Sequence, residues 1–259
     1  MDLSETHYSS QIRHPWELAR VDVIRNLLNT AVSKPQQELN IVDVGCGDVF
    51  FLSKMQDDYP QATLFGVDVA FTGVIKSRLH AEYPDLKVEL KEDIQEVPLD
   101  KTNPAHLVFL LDVIEHIDDD EDFLKQLLAQ PYITEDTHIV ITVPAFQKLY
   151  TSHDDILGHY RRYNIKSLLE VIDRAGLKCK LQGYFFASLA LARAMEVVSE
   201  KMLRTKKQHT DVGTWDKGRG LTRMVYSILM FDFYVSRFFR ILGIRLPGLS
   251  NYAICQKRV

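Results

Sequence analysis

Ile41-Val42-Asp43-Val44-Gly45-Cys46-Gly47-Asp48 is the stretch that decides how this chain of 259 residues folds. An apolar run carries an acid near its end. Two glycines one residue apart follow, and then an amphipathic helical stretch. Strand, glycine turn, helix is the crevice-forming unit of a doubly wound α/β sheet. The glycines let a ligand lie against bare backbone, and the N-terminus of the next helix meets it with unpaired N–H groups.

The surrounding residues narrow the ligand. A pyrophosphate dinucleotide calls for G-x-G-x-x-G, and here Phe50 stands where the third glycine belongs. A large ring there blocks the tight approach of helix to strand. Asp43, two residues before the first glycine, suits an ammonium group, either directly or by orienting the loop and its water. Asp68 closes the next apolar run, Thr63 to Val67, at about the ~20-residue distance of a ribose-binding carboxylate. Ribose hydroxyls and an ammonium without a pyrophosphate point to S-adenosylmethionine.

Four segments resemble the class I S-adenosylmethionine-dependent methyltransferases, in order and spacing. Asp43-Val44-Gly45-Cys46-Gly47 is similar to their first motif and Gly66-Val67-Asp68 to their second. Glu92-Asp93-Ile94 is similar to the turn that holds adenine. Leu110-Leu111-Asp112-Val113-Ile114-Glu115-His116-Ile117 is similar to the segment after the fourth strand, in the form seen in the branch related to quinone-biosynthesis enzymes. The resemblance covers Trp16 to Gly183 and a last strand near Tyr252 to Gln256. It implies a cofactor site of Asp43, Gly45, Cys46, Gly47, Asp68, Val69, Asp93, Ile94, Leu111 and Asp112. One position departs from the pattern: Val49 replaces the family's usual third glycine, where a branched side chain is expected to crowd the methionine end of the cofactor.

Outward from this unit, apolar runs alternate with helical patterns. Strands are expected at Asn40 to Val44, Thr63 to Val67, Lys87 to Lys91, Ala105 to Leu111, Thr137 to Val143 and Leu177 to Gly183. Helices are expected at Pro15 to Leu28, from an Asp48 cap to Pro60, from Thr72 to before Pro84, at Asp119 to Ala129, and between an Asn164 cap and Gly176. The fold class is therefore α/β: a Rossmann-like, seven-stranded, mostly parallel sheet with helices on both faces and a helical insert before the last strand. One methyltransferase domain is expected over 1–259, with an N-terminal helical cap (1–39), a cofactor-binding core (40–184), the insert (185–247) and the last strand (248–259).

The insert is expected as one helix from Phe185 to Lys207, a polar linker from Thr205 to Gly220, and a second helix from Leu221 to Gly243. In the second, Leu221, Met224, Ile228, Phe231, Val235, Phe238 and Leu242 alternate at spacings of three and four. Packing on the domain, a homodimer contact, or a peripheral membrane contact through 221–243 are all open for it. Composition bounds the rest. A net charge of −4 gives no general electrostatic case for nucleic acid. The three cysteines, Cys46, Cys179 and Cys255, lack disulfide or metal spacing and fit a reducing, cytoplasmic location. The polar start, Met1 to Gln11, shows no secretory pattern.

Chemistry is expected beyond the carboxyl ends of the strands. After the fourth strand stands His116, whose ordinary pKa suits a base. After the fifth come His153-Asp154-Asp155 and Gly158-His159-Tyr160-Arg161-Arg162-Tyr163. This stretch also resembles a His-Asp…Gly-His-x-Arg-Arg-Tyr segment of some of these methyltransferases. The candidate proton acceptors are His116, His153 and His159, with Asp154 orienting one of the latter two. Arg161 and Arg162 are expected to hold an anionic group of the acceptor. Tyr160, Tyr163 and Arg20 complete the substrate candidates, with Trp16 beside Arg20 as a cover. No metal is expected, since His153 and His159 have no standard ligand spacing. The function so reached is O-methylation of a small, sugar- or lipid-linked acceptor bearing an anionic group. Two alternatives stay open: a non-catalytic binding or interaction protein of the same fold, and a nicotinamide-dependent oxidoreductase.

Overall fold

Seven strands join into one sheet, fully buried at its centre and partly exposed at its two edges. The structure, a computed structural model, describes residues 12–32, 38–203 and 215–258. The strands are β1 (Asn40–Val44), β2 (Thr63–Val67), β3 (Val88–Lys91), β4 (Leu107–Leu111), β5 (His138–Pro144), β6 (Leu177–Phe185) and β7 (Ser250–Lys257). Their order is β3-β2-β1-β4-β5-β7-β6, with only β7 antiparallel to its neighbours. The strand order reverses between β1 and β4, so a crevice opens beyond their carboxyl ends.

Helices cover both faces: α1 (Pro15–Ala31), α2 (Phe50–Asp58), α3 (Gly73–Glu82), α4 (Asp120–Leu128), α5 (Ser152–Ile156), α6 (Ile165–Arg174), α7 (Ala187–Leu203) and α8 (Gly218–Ile241). Successive residues of β1 serve opposite cores. Ile41 faces a cluster with Ile24 of α1, Leu52 of α2, Leu79 of α3 and Phe233 of α8. Val42 faces a second cluster with Leu124 of α4 and Leu168 of α6. This two-residue alternation, buried on both sides, is what a central parallel strand requires.

Caps at Thr72 and Asn164 stand where the sequence places them, each accepting a backbone N–H of its own first turn. The start of α2 differs. Asp48 does not cap it; Val49 does, in the left-handed conformation at φ 56°, and Asp48 accepts from Phe50 N–H at 3.3 Å. A β-branched residue holds such a conformation only when packing compensates. Val49 is fully buried and belongs to the core cluster with Leu52. Its side chain anchors the turn inward, and the residues lining the cleft do not include it. The crowding of the cofactor expected of Val49 is thus corrected.

Two further differences concern helices. The five-residue α5 is too short for periodicity to reveal. On α8 the expected stripe lies outward. Phe231 is 71% exposed and Met224, Ile228, Phe238 and Leu242 are also exposed, while Thr222, Leu229, Met230, Phe233 and Ser236 face the domain. The buried hydroxyls find partners, Thr222 with Trp215 Nε1 and the Gly218 carbonyl and Ser236 with Asp232, a polar inward face that hydrophobic spacing cannot register. The expected leader-free start (1–11), the end of the first insert helix (204–207) and most of the linker (205–214) lie outside the described residues.

Candidate functional site

Gly45 opens the cleft with φ +70°, and a Cβ there would stand 2.6 Å from the Val113 side chain. Only glycine fits on both counts. Gly47, also left-handed at φ 55°, donates its N–H to Asp68 Oδ2 at 3.0 Å. Asp68 Oδ1 accepts from Ala70 N–H at 2.9 Å. The acid of β2 is therefore locked against the glycine turn of β1, half-exposed at the cleft rim.

Asp43, Gly45, Cys46 and Leu111 line the cleft, joined by Glu17, Arg20, Val21, Asp48, Phe50 and Phe51. Burial pushes the Asp43 carboxyl up to about 7, with Arg20 opposing and Asp68 and Asp48 reinforcing the rise. Burial also raises Glu17, against the pull of Arg13. Burial drives the Cys46 thiol well up, with Asp43 and Asp68 adding to it, so Cys46 is an inert wall. Val69 is 94% exposed at the rim. Asp93 caps the turn Ile94–Glu96 by accepting from Gln95 N–H at 2.8 Å, and Ile94 is half-buried beside it. Asp112 sits at φ 58°, a strained position for a non-glycine residue at a strand end.

The roof of the cleft is α1. Arg20 donates to Asp112 Oδ2 at 2.5 Å and lies 4.4 Å over the Trp16 ring. Asp112 Oδ1 accepts from Thr142 Oγ1 at 3.1 Å. One turn earlier, Arg13 pairs with Asp48 and lies 4.3 Å over the Phe50 ring. Arg13, Glu17 and Asp48 were not among the sequence candidates. Glu17 and Arg20, three residues apart on α1, share one helical face, and Arg13 stands just before the helix; that charged face was the available signal.

The second cluster lies around the segments after β4 and β5. Asp154 is fully buried and accepts from Arg162 Nε at 2.7 Å and Nη2 at 3.0 Å, a bidentate pair. His159 Nδ1 is 2.8 Å from Asp154 Oδ1. Burial opposes ionisation of Asp154, but the hydrogen bonds from His159 and Arg162 hold its carboxyl well below the usual carboxylate range. The His116 and His159 rings meet edge to face at 4.7 Å. Asp154 thus orients His159, and His153 stands half-buried on α5.

Several expected acceptor contacts are otherwise engaged. Arg162 is buried on Asp154, and Arg161 pairs with Asp120 at 3.0 Å and the Asp118 carbonyl at 2.6 Å. The buried Arg162 is withdrawn from any acceptor surface, which corrects its expected role, while Arg161 stays partly exposed beside Asp120. Tyr163 is 2% exposed, and its hydroxyl donates to Asp120 Oδ2 at 2.5 Å. It belongs to the core and not to a substrate surface. Tyr160 is exposed, and its N–H donates to the Glu115 carbonyl at 2.8 Å, tying the two segments together.

A family model described as a methyltransferase domain matches residues 16–182. A ubiquinone biosynthesis O-methyltransferase of Bartonella quintana (strain Toulouse) is 32% identical over 85 residues, which are 33% of this chain and 34% of that protein. The chain thus spans about a third of the length of that curated relative. Among solved structures, phosphoethanolamine N-methyltransferase 2 of Haemonchus contortus, in complex with S-adenosyl-L-methionine, aligns with a TM-score of 0.52 at 16% identity, over 92% of this chain and 52% of that one. A candidate methyltransferase of Bacillus halodurans C-125 aligns with a TM-score of 0.55 at 14% identity, over 92% of this chain and 99% of that one. At such identities these structures establish the fold.

Proposed function

The chain belongs to the methyltransferase-domain family, and on that premise we propose that it transfers a methyl group from S-adenosylmethionine to a hydroxyl oxygen of a lipid-linked or other small acceptor. The observation that carries the reading is the glycine turn held against Asp68, under a roof pinned by Arg20 to Asp112. The residues fit the cofactor. Gly45 and Gly47 offer bare backbone, Asp68 and its neighbours suit sugar hydroxyls, and Asp43 and Glu17 supply buried negative charge for an ammonium group. Val69, Asp93 and Ile94 would flank the adenine. When bound, the cofactor supplies an electrophilic methyl group on a sulfonium centre.

The chain's own part is to orient, to exclude water and to accept a proton. Arg20, Trp16 and Phe50 close the cleft from α1 and α2. Asp154 fixes the His159 ring through Nδ1, which leaves Nε2 to take the proton of the acceptor hydroxyl, beside His116. An oxygen acceptor needs such a base, and the Bartonella relative is named an O-methyltransferase.

The exposed apolar faces of α7 and α8 favour a lipid-linked acceptor. Leu191, Met195, Met202, Phe231, Phe238 and Ile241 are all more than half exposed. Arg223 and Arg237 are exposed on α8, while Asp232 accepts from Ser188 N–H and Oγ, both at 2.7 Å, as a cap of α7. Apolar and aromatic groups bordered by arginines suit an anionic membrane surface. Among the described residues, no helix is long and apolar enough to cross a membrane.

The test is transfer of label from methyl-labelled S-adenosylmethionine to a lipid extract presented on anionic vesicles. Label in an oxygen-linked methyl group, lost in His159→Ala, supports the reading. No transfer to any oxygen acceptor contradicts it. Replacing Phe231 and Phe238 by Glu should abolish vesicle sedimentation without lowering thermal stability. Sedimentation that persists, or a loss of self-association in place of vesicle binding, contradicts the membrane contact.

A further inference from the structure

Glu115 poses a problem that the proposed reaction leaves unsolved. Its side chain is 0% exposed, and neither carboxylate oxygen has a hydrogen-bond partner. A buried carboxylate without partners is costly, and native proteins seldom keep one without a reason. Its neighbours supply the reason. Ligand atoms of Glu115, His116 and His159 all lie within 4.8 Å of one another.

We propose that Glu115, His116 and His159 form a binding site for one divalent cation of the zinc or cobalt type. Three further observations fit it. First, His159 Nδ1 is 2.8 Å from Asp154 Oδ1, so a carboxylate beside the ring sets its orientation and leaves Nε2 as the other ligand atom, as metal-binding histidines usually require. Second, Arg162 clamps that carboxylate from behind with two hydrogen bonds, which fixes the supporting layer. Third, the Tyr160 N–H to Glu115 carbonyl bond, at 2.8 Å, joins the segment carrying His159 to the one carrying Glu115 and His116. The ligands thus come from two loops that the backbone holds together.

The donor set selects the ion. Two imidazoles and one carboxylate suit zinc, cobalt or iron, whereas magnesium and calcium prefer oxygen donors. Around zinc, tetrahedral ligands ~2.05 Å from the metal stand about 3.4 Å apart. The separations here exceed that by at most about 1.4 Å, which small side-chain rotations supply. With three protein ligands, a position stays open for an exogenous oxygen.

The role of the site rests on the proposed O-methylation, although its existence does not. A hydroxyl bound at the open position becomes more acidic, so activation passes from His159 to the cation. The hydroxyl proton leaves to solvent. The oxygen uses its electron pair to form the new C–O bond, and the C–S bond breaks with its pair on sulfur.

The test uses the tag-free full chain, stripped with chelator, without cofactor or acceptor. Cobalt(II) is titrated and followed by its visible absorption, and zinc is then added in competition. One cobalt per chain, displaced by zinc, is expected. Glu115→Gln and His159→Gln should each weaken cobalt binding at least tenfold, while melting of the metal-free chains shows that both fold. A native chain that takes up no cobalt overturns the proposal whatever the variants do. So does uptake that is unchanged in both variants, since it then arises at other histidines. A chain that binds cobalt but no S-adenosylmethionine would keep the site and refute the reaction instead.

Discussion

Cofactor affinity should depend on pH through Asp43. Its carboxyl is buried and its pKa stands near 7, so in the unliganded chain it carries a proton over the acidic range. An ammonium group is held well only by the ionised form. One unit below 7, at pH 6, about one chain in eleven has Asp43 ionised, and apparent affinity falls by about that factor. Affinity should therefore fall about tenfold per pH unit below 7 and level off above it. Burial raises Glu17 in the same cleft, in the same direction as Asp43. Burial causes the rise at Asp43, which Asp68 and Asp48 reinforce and Arg20 opposes. The assay is calorimetry with S-adenosylhomocysteine, which keeps the ammonium group, between pH 5.5 and 7.5. Asp43→Asn should bind weakly and lose this dependence. Affinity that stays flat across the range in the native chain, or a slope unchanged in Asp43→Asn, refutes the reasoning.

The same carboxyl makes an opposite prediction for stability. Its pKa is higher folded than unfolded, so the unliganded fold loses stability as pH rises from about 4 through 7, by up to about 4 kcal/mol. Asp43→Asn should melt higher than the native chain at pH 8 and not at pH 4; equal melting at both would contradict it. Asp68→Ala removes the acceptor of the Gly47 and Ala70 N–H groups and should weaken cofactor binding by about 1.5–3 kcal/mol, measured calorimetrically. Val49→Ala should cost about 1–3 kcal/mol in denaturant unfolding while leaving cofactor affinity intact, because its side chain fills the core. Asp154→Asn leaves the buried Arg162 without its counter-charge and should cost about 3–5 kcal/mol in the same assay.

What was legible in the sequence is what depends on neighbours in the chain. The apolar run of β1 and the caps at Thr72 and Asn164 are local signals, and each stands where its residues place it. Strand spacing put Asp68 one strand over from the glycine turn, but its hydrogen bond to Gly47 N–H was not legible. Long-range pairing was not legible. Nothing near Arg162 in sequence reveals that Asp154 absorbs it, and nothing near Tyr163 shows that Asp120 binds its hydroxyl. The roof made by Arg13 and Glu17 depends on how α1 lands on the cleft. Apolar spacing on α8 marked the outward face, because the inward face includes the polar Thr222 and Ser236. Glu115 was visible beside His116 but carried no role, because its meaning lies in the two histidines that the fold brings around it.

The central claim is that the turn at Gly45 and Gly47, locked to Asp68, holds S-adenosylmethionine. Calorimetry at pH 7.5 on the folded native chain tests it most directly, with S-adenosylmethionine, its demethylated product and NAD as separate titrants. The account predicts saturable, one-to-one binding of the first two, none of NAD, and binding weakened at least about tenfold in Asp68→Ala. A folded native chain that binds neither S-adenosylmethionine nor its product, or that binds NAD in their place, would contradict it.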